Sequence, residues 1–78
     1  MDKFYNVTKV QFIHDYLYFS IDNQSYKVRI GEVSAKLATA NEQVRNDYKV
    51  SPSGYGIHWQ QIDEDLSING LLRMATSK

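Results

Sequence analysis

Gly54-Tyr55-Gly56-Ile57-His58-Trp59, continued by Ile62-Asp63-Glu64-Asp65-Leu66-Ser67-Ile68-Asn69-Gly70-Leu71-Leu72, is the stretch around which the rest of the chain is arranged. It holds the only Trp, three of the nine acidic residues and three of the four glycines. From Tyr55 to Gln60 the pattern has period two, which predicts a strand with Tyr55, Ile57 and Trp59 on one face and His58 and Gln60 on the other. Asp63-Glu64-Asp65 is expected to be an acidic turn that ends this strand. Ser67 is a suitable helix N-cap, and Ile68, Leu71 and Leu72 follow at helical spacing. Gly70 weakens the regular helix there to a short closing segment. Two glycines around Tyr55 suit a tight turn and close backbone approach at the start of a strand.

Upstream, Tyr48–Ser51 reads as a strand joined to this one through a Pro52-Ser53-Gly54 turn. Before it, Val33/Leu37 and Val44/Tyr48 are spaced by four, with Lys36, Arg45 and Lys49 expected to face water. Asn41 is a second N-cap that divides this region, so two short helices are expected near 32–39 and 42–47, with one bent helix as the fallback. Ser34 or Glu32 can cap the first of them.

The first thirty residues alternate. Val10 and Phe12 are separated by polar residues over Val7–Ile13. Leu17, Phe19 and Ile21 share one face of Tyr16–Ile21, with Tyr16, Tyr18 and Ser20 on the other. Tyr26, Val28 and Ile30 are expected inward along Ser25–Ile30, with Lys27 and Arg29 outward. His14-Asp15 and Asp22-Asn23 supply the reversals, the second with residues that tolerate positive φ. The expectation is a three-stranded meander, about the minimum for a stable sheet. Residues 1–6 form a lead-in from which Phe4 and Tyr5 can reach the sheet edge, and Ala75–Lys78 is expected to be a frayed tail.

Seventy-eight residues make a single domain with a small core. At 42% hydrophobic and 13% aromatic the chain is a folding sequence, not a disordered one. There is no Cys, which removes disulfides and thiolate metal sites and leaves self-association as the supplement to a small core. The formal net charge is zero, with no basic field of the kind that holds a phosphate backbone. No apolar run reaches the roughly 20 residues of a membrane span, and the N-terminus lacks the apolar core of a signal peptide. A cytoplasmic protein is the expectation.

From Leu37 to Arg73 the chain resembles a family of small bacterial domains of unknown function, family 2442. The residues that carry the resemblance are Leu37…Ala40, Arg45…Tyr48, Gly54–Trp59, Ile62–Ser67 and Gly70–Leu72; the first thirty residues agree as a pattern of three strands. Two departures are visible. Gly31 and Ser34-Ala35 replace a bulky or proline-bearing helix entry, and Gln60-Gln61 stands where an acid and a proline commonly follow the Trp. The resemblance implies a compact sheet with helices on one side and no established enzymatic activity. It also implies a small partner protein, in an arrangement similar to a toxin–antitoxin pair. Some relatives carry a helix-turn-helix, which this chain lacks.

Several residues invite sharper readings. His58 with Asp63, Glu64 and Asp65 is a candidate metal or acid–base cluster, weighed against an outward strand residue beside a solvated turn. Trp59 is a candidate interface anchor, weighed against a core anchor on which Leu66, Ile68, Leu71 and Leu72 pack. Tyr5, Tyr16, Tyr18 and Tyr55 are a candidate stacking platform for single-stranded nucleic acid, but Lys9, Lys27, Arg29 and Lys49 are scattered along the chain. Gly54-Tyr55-Gly56 has neither the spacing nor the following Lys of a phosphate loop, and no serine has a nucleophile context. In each case the structural alternative is preferred.

The expected fold is therefore α+β, a mainly antiparallel sheet of four or five strands with short helices on one face. No catalytic, cofactor-binding or metal residues are assigned. The expected function is a non-catalytic binding or regulatory module, antitoxin-like or otherwise accessory to another small protein. His58, Asp63, Glu64 and Asp65 are its candidate docking residues, and the partner is another protein or a second copy of the chain. The alternative is a DNA-associated regulator, or a subunit that binds nucleic acid within a complex.

Overall fold

The computed structural model describes residues 5–52 and 54–77. The lead-in as far as Phe4, Ser53 of the expected turn and Lys78 of the tail lie outside these residues. Strands β1 (Val7–Ile13), β2 (Tyr16–Ile21) and β3 (Gln24–Arg29) form the expected antiparallel meander. Asp22 and Asn23 both have positive φ, 50° and 71°, which matches the right-handed twist of a two-residue hairpin. Each β2 residue from Tyr16 to Ile21 has a partner in β3, so Leu17 lies beside Val28 and Phe19 beside Tyr26, whose rings stack with centroids 5.5 Å apart.

The chain then leaves the sheet one residue earlier than expected. Ile30 belongs to a one-turn helix, α1 (Ile30–Val33), and not to the strand. The single helix expected over 32–39 is broken at Ser34, which is extended at φ −160° and ψ 112°. Its hydroxyl accepts from the Leu37 N–H and caps a second one-turn helix, α2 (Ala35–Ala38). Asn41 caps α3 (Glu42–Arg45) through its side-chain oxygen, 2.9 Å from the Val44 nitrogen.

The α+β class holds, but the strands do not share the expected single sheet: they form two, one of four strands and one of three. Strands β4 (Tyr48–Val50), β5 (Gly56–Trp59) and β6 (Glu64–Ser67) make a separate three-stranded antiparallel sheet. Helix α4 (Ile68–Met74) follows, capped by Ser67 as expected. The free edge of β3 is taken by β7 (Thr76–Ser77), so the expected frayed tail is instead the fourth strand of the first sheet. β7 covers Tyr26 and Lys27 of that edge.

The two sheets share one core. Leu17, Phe19, Ile21, Val28 and Ile30 are buried from the meander side, and Ile57, Trp59, Ile68 and Leu71 from the other. Each such side chain stabilises the fold by about 1.5–3 kcal/mol. Trp59 joins the sheets. Its ring meets Phe12 edge-on at 6.1 Å and Tyr48 at 6.2 Å, and its Nε1 donates to the Arg45 carbonyl at 2.9 Å. Among the described residues, no helix is long and apolar enough to cross a membrane.

Candidate functional site

The second sheet is built by its loops as much as by its core. Gly54 has φ +69°, and a Cβ there would lie 1.8 Å from the Tyr5 carbonyl oxygen, so only glycine permits this approach of the N-terminal segment. The Tyr5 hydroxyl bonds the Asn69 side chain, which ties the same segment to α4. The Ser51 hydroxyl accepts from the N–H groups of both Tyr55 and Gly56, at 2.9 and 3.1 Å, and closes the β4–β5 connection.

Because Gly54 turns the chain just before the strand, the expected alternation does not extend back to Tyr55. Tyr55 is 62% exposed, where it was expected inward with Ile57 and Trp59. The glycine on each side was the available signal that regular pleating stops there. Tyr55 stands at the rim of a groove of about 630 Å³. Pro52, Lys49, His58 and Asp65 border it, as do Val50, Ile57 and Leu66, which lie side by side across the three strands on the core-facing side with Trp59.

The polar trio of Lys49, His58 and Asp65 forms one row. Lys49 pairs with His58 across β4 and β5, and His58 pairs with Asp65 across β5 and β6. The same pleat that turns Trp59 into the core turns this row outward. His58 Nδ1 lies 2.7 Å from Asp65 Oδ1, with the side chains 40% and 76% exposed. A contact this open to solvent contributes about 0–1 kcal/mol even when both groups are charged.

Asp63, Glu64 and Asp65 do not form one acidic turn. The reversal is one step earlier, with Asp63 at φ 51°, and Glu64 and Asp65 already belong to β6. Strand pleating then separates them. Asp65 points outward to His58, whereas Glu64 shares the face of Trp59 and accepts a short hydrogen bond from the buried Ser34 hydroxyl. The Lys36 ammonium donates to the Ile62 and Asp63 carbonyls and holds the turn from outside. Of the four candidate docking residues, His58 and Asp65 meet, Asp63 shapes the turn, and Glu64 is a structural tie. Among the described residues, no three His, Asp or Glu side chains converge as metal ligands.

The anchors fall where the pattern placed them. Trp59, Ile68 and Leu71 are buried, and Leu66 and Leu72 pack half-buried against the core. Arg45 departs from its expected place in water. It is half-buried, donates to the Leu37 and Ala38 carbonyls at the end of α2, and lays its guanidinium over the Phe12 ring. A cation at a helix C-terminus satisfies carbonyls that have no partner within the helix.

Gln60-Gln61 also has a defined use. Both side-chain amides donate to Asp47, Gln61 at 2.8 Å and Gln60 at 3.4 Å. They hold the Asp47 carboxyl below its ordinary range, Gln61 more than Gln60. A carboxylate at either position would face Asp47 as a like charge. This is why amides suit the turn here.

The four-tyrosine platform is divided by the fold. Tyr16 and Tyr18 neighbour each other on the outer face of β2, while Tyr5 and Tyr55 lie by the second sheet. No curated protein and no solved structure matches the chain. A family model does match, from the first strand of the meander to the last strand of the same sheet. The chain, over residues 7–77, belongs to the family described as a protein of unknown function, DUF2442.

Proposed function

We propose that this chain is a non-catalytic binding module that docks another small protein on the outer face of its second sheet, as an accessory or antitoxin-like partner. The observation that supports this is the groove beside Tyr55. A tyrosine that is 62% exposed at the rim of an apolar groove offers an aromatic contact at low entropic cost. The row Lys49–His58–Asp65 supplies charge of both signs next to it, which sets orientation and selects partners more than it adds affinity. The His58–Asp65 pair is part of that polar border. It is an exposed imidazole–carboxylate pair, and among the described residues its direct hydrogen bonds include no hydroxyl that it could activate.

The test is co-expression with the product of the adjacent gene, followed by purification on a tag carried by one chain. A stoichiometric complex is expected. Tyr55→Ser is expected to weaken it by about tenfold or more, the scale of an interface anchor, while leaving the circular dichroism spectrum unchanged. A complex that forms equally well with Tyr55→Ser would remove the groove from the interface. Failure of the two proteins to co-purify would count against the partner itself.

A further inference from the structure

The outer face of the first sheet collects what the chain had scattered. Tyr16 and Tyr18 lie on the central strand, β2, of the meander, with Arg29 and Lys27 as their direct partners on β3. Lys9 stands outward on β1, opposite Ser20. Lys9, Lys27 and Arg29 are the charged residues among the outward positions of these three strands, and all are positive. In a chain with zero net charge, these outward strand positions carry cations alone, with the Asp15 and Glu32 carboxylates near Arg29 at one end of the face. The cations are interleaved with the aromatics: the Lys27 ammonium lies 4.9 Å from the Tyr16 ring centre, and the Arg29 guanidinium 5.7 Å from it. Arg29 also donates to the Tyr16 hydroxyl at 3.4 Å. Tyr16 and Tyr18 are half-buried, with ring centres 6.4 Å apart and planes inclined by 58°.

We propose that this face binds single-stranded nucleic acid, with a base stacked on Tyr18 and the phosphates following Lys9, Lys27 and Arg29. A strand of nucleic acid carries the two features the face complements, a regular line of anions and a series of flat rings. Aromatic residues on the central strand of an antiparallel sheet, flanked by basic side chains, are a sequence-tolerant arrangement. An acidic protein segment would complement the cations but not the rings, and this distinguishes the two occupants. The face is separate from the groove beside Tyr55, so this inference does not rest on the partner-docking reading.

The experiment is a fluorescence anisotropy titration of labelled oligo(dT) and oligo(rU) with the full chain at several salt concentrations. Binding is expected at low salt, with a log–log salt slope of about −2, the value for three phosphate contacts on a single strand. Lys27→Glu, and separately Lys9→Glu, should weaken binding by about tenfold and flatten that slope. Tyr18→Ser should weaken it by about fivefold or more with the slope unchanged, because stacking is not a salt-dependent contact. Arg73→Glu, on the exposed side of α4, should bind as wild type. Three results would overturn the proposal: no binding at the lowest salt, equal loss with Arg73→Glu and Lys27→Glu, or displacement by polyglutamate as effective as by unlabelled oligonucleotide. The last would assign the face to acidic protein instead.

Discussion

The two sheets of this small domain are held together by different means. The meander has strands of seven, six and six residues, and its inner face buries Leu17, Phe19, Ile21 and Val28. The second sheet has strands of three, four and four residues. Its inner face contributes Ile57 and Trp59, and much of its remaining definition comes from polar ties: Ser51 to the Tyr55 and Gly56 N–H groups, Ser34 to Glu64, and Gln61 to Asp47. Long alternating strands need little beyond burial, because each added pair extends an existing apolar face. Short strands offer too few pairs, so loops and caps must fix their register.

The contrast is open to direct tests. Trp59→Ala carries the largest expected effect. It empties the site where both sheets meet and frees the Arg45 carbonyl, and its cost is expected to be about 3–5 kcal/mol in urea denaturation, enough to unfold a domain of this size. If it unfolds the second sheet while the meander's amides stay protected from hydrogen exchange, the sheets are less coupled than the shared core implies.

Gly54→Ala is next. The positive φ and the contact with the Tyr5 backbone together should cost about 1–3 kcal/mol, read from the urea midpoint. An unchanged midpoint would mean that the N-terminal segment simply lifts away. Ser34→Ala removes the cap of α2 and the donor to Glu64, and about 1–2 kcal/mol should be lost. A meander surface change such as Gln11→Ala should stay within about 0.5 kcal/mol, which would confirm that polar residues hold one sheet and not the other.

The smallest effect is a dependence on pH. The Gln61 and Gln60 amides favour the charged form of Asp47, so its pKa is lower folded than unfolded. The stability this supplies is present above the unfolded value, ordinarily about 3.9, and is lost as pH falls through the folded one. Gln61→Ala should therefore lower the melting temperature slightly at neutral pH and converge with wild type on the acid side of that value. Parallel melting curves at all pH values would assign the loss to packing instead.

Much of the first sheet was legible in the chain. Tyr16–Ile21 alternates cleanly, Val7–Ile13 does so from Lys9 onward after a register shift, and Asp22-Asn23 names its own turn, so strand bounds and the inward face followed from local chemistry. The caps at Ser34, Asn41 and Ser67 were legible for the same reason, since each acts on an N–H three residues away. The second sheet was less so. Tyr55 fits an alternating strand by type, and its exposure follows from the Gly54 turn against Tyr5, a contact between residues distant in sequence. Arg45 has the spacing of a solvent-facing residue, and its inward position depends on where α2 ends.

The meander, the capped starts of α3 and α4, the buried Trp59 and the outward His58 follow from the sequence, because period and capping are properties of neighbouring residues. The fold settled the rest. It sorted the strands into two sheets, with β7 on the edge of β3, and it divided Asp63, Glu64 and Asp65 among a turn, a tie to Ser34 and a pair with His58. It also gathered Lys9, Lys27 and Arg29 beside Tyr16 and Tyr18. Each of these depends on which strands lie side by side, and strand pairing joins residues that no local pattern connects.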